Sequence, residues 1–420
     1  MAIAIEQGRA MTARRVRWQV ICAYWLAQYA AWLALLTPVV ITIAVRLGHI
    51  TDQEHKASWL GWIMGVGAMA AMIAAPIWGT ISDRTRSRIG KRKLWVIIGA
   101  ISLLAGLLIM ALARDPLIFG LGWLVCQIGS NAAQAALNAV LSDIFPEEQR
   151  GAMSALLGTA ATTAMMTGVF LTRFTIDNPF AMFLVPWFLT PVAVALFVAI
   201  VPDSPAPEHT AERQPRRRWR FRNPLVHADF TWAFVSRFMV TLAYSFSMTY
   251  QVYFLTDHLR IRQDQIAYFM SISVSVVGVV TLIVSCVGGW LSDRAARRKP
   301  FVVTAAAIMA CGLVGVAMAD DFSQVLWAVG LVSLGQGLYY AVDLALCVEV
   351  LPDRSDAARD MAVMQIASSL PQSLAPAIAP FVLAVSAEVL RGANYPLLFC
   401  VAAAVALVGA ITIAPVRGVR

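Results

Sequence analysis

Charge is what this sequence has least of. Only 14% of its 420 residues are Asp, Glu, Lys or Arg, against 59% hydrophobic, with a mean hydropathy of +0.70. That balance excludes the two or three soluble domains the length alone would suggest. No Cys-x-x-Cys pair occurs. The six cysteines (Cys22, Cys126, Cys286, Cys311, Cys347, Cys400) are scattered through apolar runs as small hydrophobic residues, which excludes a disulfide framework or a thiolate metal site. The five histidines (His49, His55, His209, His227, His258) all fall in loops or at the ends of apolar runs, so a buried histidine proton relay is not expected. No nucleophile with a neighbouring base and no metal-ligand set stands out, so neither an enzyme nor a cofactor is expected.

What is present is a succession of apolar runs of about 20 residues, each able to cross a hydrocarbon core of about 30 Å. Twelve spans are predicted, at about 18–45, 58–82, 94–113, 116–142, 152–173, 179–201, 229–255, 265–291, 301–319, 323–351, 362–386 and 394–415. The first follows Arg14, Arg15 and Arg17 and is too long for a signal-peptide core, so it reads as an uncleaved first helix. With the N-terminus inside, the inner segments hold 25 of the 33 Lys and Arg, the outer segments 7, and one, Arg237, lies within a span. The net charge of +9 is then a topology signal for an inner (plasma) membrane protein with both termini cytoplasmic, and not a nucleic-acid surface.

The longest polar interruption, PDSPAPEHTAERQPRRRWRFRNP at 202–224, has the composition of a solvated linker. It divides the chain into an N-terminal bundle of six spans (1–201), a cytoplasmic linker (202–227) and a C-terminal bundle of six (228–420). The halves repeat one another. GTISDR at 79–84 returns as GWLSDR at 289–294, and SDIFPEEQRGAM at 142–153 is matched by VEVLPDRSDAARDM at 348–361. Two matched features in the same order argue for duplication.

A helix ending in G-x-x-x-D-R before a basic loop, between the second and third spans and again between the eighth and ninth, resembles the major facilitator superfamily, and the resemblance covers essentially the whole chain. It implies an all-α integral membrane protein of twelve helices in two pseudo-symmetric bundles. SDRTRSRIGKRK, with its long Asp83-to-Gly90 stretch, is similar to the glycoside–pentoside–hexuronide:cation symporters and sucrose-type transporters, as, more loosely, is SSLPQSLAPAIAP at 368–380.

Asp83 ends a helix, where the macrodipole is already negative, and an acid there is unfavourable by up to ~1 kcal/mol unless compensated. The resemblance supplies the partner, the start of the eleventh helix near Ala358 to Met361. It implies a cytoplasmic gate in which Gly79 permits close approach and Arg84 reaches Asp143. By the repeat, Gly289, Asp293, Arg294 and Glu349 form its counterpart, with Asp293 facing Gly151. Such contacts exist only when that side is closed, so they bias a two-state equilibrium. The competing reading makes the loop a topology signal and lipid anchor, and this is the reading for Arg86, Arg88, Lys91, Arg92 and Lys93.

In this superfamily the first, fourth, seventh and tenth helices line the central cavity. Each carries a polar stripe at helical spacing here: Tyr24, Gln28 and Trp32; Asn131, Gln134 and Asn138; Arg237, Thr241, Tyr244, Met248 and Gln251; Gln336, Tyr340, Asp343 and Cys347. Such groups are costly in lipid unless they face a bundle or water. The candidate substrate contacts are Gln28, Trp32, Asn131, Gln134, Asn138, Tyr244, Gln251, Gln336 and Tyr340; singly, any of them could equally serve as glue between helices. Arg237 and Asp343 lie ~13 Å and ~12 Å deep at ~1.5 Å per residue. A lone charge there costs ~2.5–3.5 kcal/mol, so the two are expected to pair, as a static link, a proton-coupling site or a hold for an anion. The second span, SWLGWIMGVGAMAAMIAAPIWG, has no acid to bind sodium as in melibiose-type symporters, which makes a proton the expected coupling ion. The sucrose-transporter arginine pattern in the first half is also missing. The expected activity is proton-coupled symport of a small solute, a sugar or glycoside, by a monomer. Proton-driven efflux of a drug or natural product is the alternative, although the fifth span lacks the G-P-x-x-G-G kink of drug antiporters. A non-transporting receptor is the reading from another class.

Overall fold

The computed structural model describes residues 16–202, 227–295, 298–350, 357–385 and 393–416; linker residues 203–226 and loop 351–356 lie outside these, as do the side chains of Gly151, Asp293 and Ala358. Among the described residues there are twelve helices and no strand. The first six are α1 Trp18–Ile50, α2 Lys56–Arg84, α3 Lys93–Leu112, α4 Pro116–Ile144, α5 Glu147–Thr172 and α6 Pro179–Ile200. The second six are α7 Ala228–Tyr253, α8 Gln263–Ala295, α9 Lys299–Ala317, α10 Phe322–Glu349, α11 Ala357–Ala384 and α12 Tyr395–Thr412. Ten are long and apolar enough to cross a membrane; the others, α5 and α7, carry hydroxyl-rich faces, and α5 keeps a shorter apolar run at Leu156–Thr172.

Helix starts follow local chemistry. Asp115, Asn178, Asp321 and Asn394 cap α4, α6, α10 and α12 by accepting hydrogen bonds from first-turn N–H groups. Two boundaries differ from expectation because of proline. Pro38 lacks the N–H an α-helix needs, and the chain absorbs this as a π-helical turn, Pro38–Thr42, so the first helix runs on to Ile50. The sixth span breaks at Val185–Phe188, around Pro186, into Pro179–Leu184 and Leu189–Ile200.

Each half packs its third and fourth helices through glycine. A Cβ on Gly106 (α3) would lie 2.6 Å from the Gly122 carbonyl of α4, and one on Gly129 (α4) 2.3 Å from Ser102 Oγ. The contact recurs 206 residues later, where Gly312 (α9) abuts Ala328 O and Gly335 (α10) abuts Ala305 O. Such close approach replaces the hydrophobic drive that lipid removes.

The helix ends define two sides. The linker end carries the start of α1, the ends of α2, α4, α8 and α10, and the starts of α5 and α7; the opposite side is the far end. Toward the far end the halves touch. Gly61 and Gly65 of α2 lie against Pro376 and Ser373 of α11, and Gly278 of α8 lies against Met166 and Thr162 of α5. Nearer the linker end, a Cβ on Gly79, Gly158 or Gly289 would meet no atom within 4 Å. Among the described residues, then, the halves meet toward the far end, and these three glycines nearer the linker end face no neighbour.

Candidate functional site

Arg237 and Asp343 meet between α7 and α10. The Arg237 Nη2 to Asp343 Oδ2 distance is 3.2 Å, with both side chains nearly buried. Arg237 also donates through Nε to Ser368 Oγ of α11 at 2.6 Å and through Nη1 to Cys347 Sγ at 2.9 Å. Three helices therefore fix one guanidinium, which restrains the pair where a single contact would leave it free to rotate.

In the first half the corresponding helices meet through neutral groups. Gln28 Nε2 of α1 donates to Asn138 Oδ1 of α4 at 3.2 Å, Tyr24 OH donates to Leu137 O, and Trp25 Nε1 donates to Thr159 Oγ1 of α5. Asn131 spends its amide on Gln127 O of its own helix. Both amide atoms of Gln134, Oε1 of Gln28, Nε2 of Gln251 and Oε1 of Gln336 are buried with no hydrogen-bond partner. Buried amides left in this way have bonding capacity for something else. Trp32 and Tyr244 are half-buried against the main core, and Asn138 and Tyr340 are exposed. On α10, Gln336, Tyr340, Asp343 and Cys347 lie on the face opposite the lipid-exposed Trp327 and Leu331, by the helical repeat of about 3.6 residues.

The linker-end charges differ from expectation. Asp83 does not meet the start of α11; its side chain is 64% exposed and pairs with Arg92 at 2.7 Å. Arg84 does not reach Asp143 and is exposed. Asp143 is held by Arg92 Nε at 2.9 Å and by Lys91 at 3.3 Å. Arg92, expected to be only a topology charge, is thus a buried hub that also donates to Ser82 Oγ. In the second half Arg298, and not Arg294, pairs with Glu349 at 2.9 Å, while Arg294 lies over the Trp290 ring. The reason is geometric. Arg84 and Arg294 come at the solvent-facing ends of α2 and α8, whereas Arg92 and Arg298 cap α3 and α9, which pack against α4 and α10. Burial pulls the Arg92 guanidinium down, but its two carboxylates outweigh that and leave its pKa raised. A Cβ on Gly79 or Gly289 would meet no atom within 4 Å, so neither glycine marks a close approach of helices in this structure.

The far end holds a contact that reading the chain did not find. Lys56, the first residue of α2, is only 5% exposed at its side chain and pairs with Asp257 beyond α7 at 2.5 Å. Asp257 also accepts from Tyr395 OH of α12 at 2.7 Å, and Lys56 lies over the Tyr253 ring. The one proton of Tyr250 OH is shared between Ala57 O of α2 and Pro376 O of α11, at 3.2 and 3.1 Å. Arg173, which follows α5, lies over Tyr268 of α8. No sequence signal links Lys56 to Asp257. The Arg92 and Arg298 pairs did have one: an offset of 206 carries Arg92 to Arg298 and Asp143 to Glu349.

Twelve helices in two repeated bundles, touching at one end and lined inside by polar residues, are the architecture of a multi-pass membrane transporter. The chain belongs to the Major Facilitator Superfamily, whose family model matches residues 20–273 and 233–419. A staphyloferrin B transporter of Staphylococcus aureus (strain NCTC 8325 / PS 47) is 29% identical over 146 residues, 34% of this chain and 33% of the relative. A D-xylose transporter of Levilactobacillus brevis is 29% identical over 164 residues, 37% of this chain and 34% of the relative. Each match spans about a third of the relative's length. Among solved structures, the nucleoside transporter NupG superposes with a TM-score of 0.75 at 12% identity, covering 94% of this chain and 98% of that one. A D-xylose-proton symporter superposes with a TM-score of 0.73 at 15% identity, covering 96% and 98%.

Proposed function

We propose that this chain is a secondary active transporter that moves a small sugar-like solute by alternating access, coupled to protons as a symporter of the glycoside–pentoside–hexuronide type. The observation that carries the coupling is the Arg237–Asp343 pair, a formally neutral couple buried between α7 and α10 and tied to α11. A carboxylate held by a guanidinium can take a proton when the guanidinium moves away and release it when the pair reforms, which is what a coupling site needs. The linker end is cytoplasmic on this reading, since 25 of 33 Lys and Arg lie on that side. Gln28, Trp32, Asn131, Gln134, Asn138, Tyr244, Gln251, Gln336 and Tyr340 would offer the solute amides, hydroxyls and aromatic faces. The expected partners are the solute, protons and the bilayer.

The test uses purified protein in liposomes with an imposed pH gradient of either sign. Wild type should accumulate solute with the inward proton gradient, whereas accumulation only against it identifies an efflux pump. Arg237→Gln or Asp343→Asn alone should lose expression or transport, since removing one partner strands a buried charge at a cost of about 3–5 kcal/mol. The double neutral variant should restore folding and exchange solute down its gradient without concentrating it. Full pH-driven accumulation by the double variant would make the pair structural only.

A further inference from the structure

Membrane-spanning glutamines that are exposed need explaining, and α11 has two, Gln365 and Gln372. At about 100° per residue, both stand roughly opposite Phe381 and Val385. Those two residues, 73% and 52% exposed, mark the lipid side of α11. An amide turned to lipid would be costly, but these turn away from it, toward the interior of the bundle. Tyr340 of α10 is likewise 55% exposed on the side away from the lipid-facing Trp327. The exposed interior of the second half thus includes a surface of α11 beyond the four helices considered so far.

We infer that Gln365 and Gln372 of α11, with Tyr340 of α10, form a recognition wall for a neutral, polyhydroxylated solute. This deepens the transport reading and rests on it. Gln372 Nε2 donates to the Ser368 carbonyl at 3.1 Å, which turns its Oε1 outward as an acceptor for a solute hydroxyl. Ser368 is the residue whose Oγ receives Arg237 Nε, so one helical turn joins the wall to the charged pair. The class of solute follows from charge. Arg237 is already matched by Asp343 at 3.2 Å, and an anion taking the arginine would leave that carboxylate buried alone. A neutral solute brings no charge to compete with Asp343 for Arg237, and is held by amides and an aromatic face, the groups that recognise hydroxyls and C–H surfaces.

The experiment has two arms in the full chain, with exposed Cys22, Cys286, Cys311 and Cys400 changed to Ser and buried Cys126 and Cys347 kept. In the first arm, Gln365→Cys, Gln372→Cys and Phe381→Cys are treated in inside-out vesicles with a charged, membrane-impermeant thiol reagent. Both glutamine positions should react and Phe381→Cys should not. Failure of both glutamine positions to react overturns the wall, whatever the protein transports. In the second arm, liposomes are offered D-xylose, D-glucose and the anion D-glucuronate. Wild type should take up a neutral sugar. Gln365→Leu and Gln372→Leu should raise its half-saturating concentration about tenfold, as loss of one or two hydrogen bonds does, with the maximal rate largely kept. Unchanged half-saturation in both variants overturns the wall and leaves the transport reading standing. Uptake of glucuronate alone overturns the neutral class. Labelling at both positions with uptake of none of the three probes overturns the sugar-transport reading and leaves the water-facing wall in place.

Discussion

Arg84 and Arg92 belong to one basic loop, eight residues apart, and meet different surroundings. Arg84 ends α2 and extends into solvent. Arg92 caps α3 beside the end of α4, where Asp143, Asp83 and Ser82 converge on it. A buried guanidinium with satisfied donors contributes where an exposed one does not. Arg92→Met should therefore destabilise the purified protein by roughly 1–2 kcal/mol, discounted because Asp83 is largely hydrated already. Arg84→Ala should change stability by less than ~0.5 kcal/mol. Thermal unfolding in detergent compares them, and equal shifts would remove the distinction drawn between the two arginines.

α11 contains Pro371, Pro376 and Pro380 and remains one helix. Each proline removes one backbone donor, so Pro380 leaves the Pro376 carbonyl without its helical partner. Tyr250 OH fills that place at 3.1 Å, and α2 approaches so closely that a Cβ on Gly61 would sit 2.3 Å from the same carbonyl. The orphaned acceptor and the glycine together make the crossing of α2 and α11 possible. Gly61→Val should force the helices apart, since the obstacle is backbone and cannot rotate away. A cysteine replacing Ser373, buried at this crossing, should be unreactive toward a reagent applied from the far end in the parent and reactive in the Gly61→Val background. Protection in both would show that the crossing yields elsewhere.

On the scale of the whole molecule, an ion pair joins the two halves at the far end, whereas among the described residues the ion pairs of the linker end do not cross. Lys56 and Asp257 come from different halves, 201 residues apart, and their pair with Tyr395 links α2, the end of α7 and α12. Among the described residues, the linker-end pairs of Arg92 with Asp83 and Asp143, of Lys91 with Asp143 and of Arg298 with Glu349 stay within their own halves. The state described here is thus held by contacts that must break for the far end to open. Lys56→Gln or Asp257→Asn should shift the population toward far-end opening. Spin labels at Glu54 and Arg262, both exposed, report this as a longer distance component in double electron–electron resonance. An unchanged distance distribution in both variants would mean that the pair is not what holds the ends together.

Span number and the duplication were legible in the residues because each obeys a local rule. A hydrocarbon core demands an unbroken apolar run, and a duplicated unit repeats its loop motifs in the same order. Arg237 and Asp343 could be matched by depth for the same reason, as the rise of a helix is constant. Pro38 and Pro186 stand in the chain, but whether a proline yields a π turn, a broken helix or, as in α11, neither depends on what packs around it. Three matters were decided by tertiary structure alone: which arginine of a basic loop finds a carboxylate, that Lys56 meets Asp257, and that α11 turns its glutamines toward open space. The first depends on how α3 packs against α4 inside one bundle and the others on how helices and bundles are turned against each other, and the patterning of apolar and polar residues within each helix is compatible with more than one such arrangement.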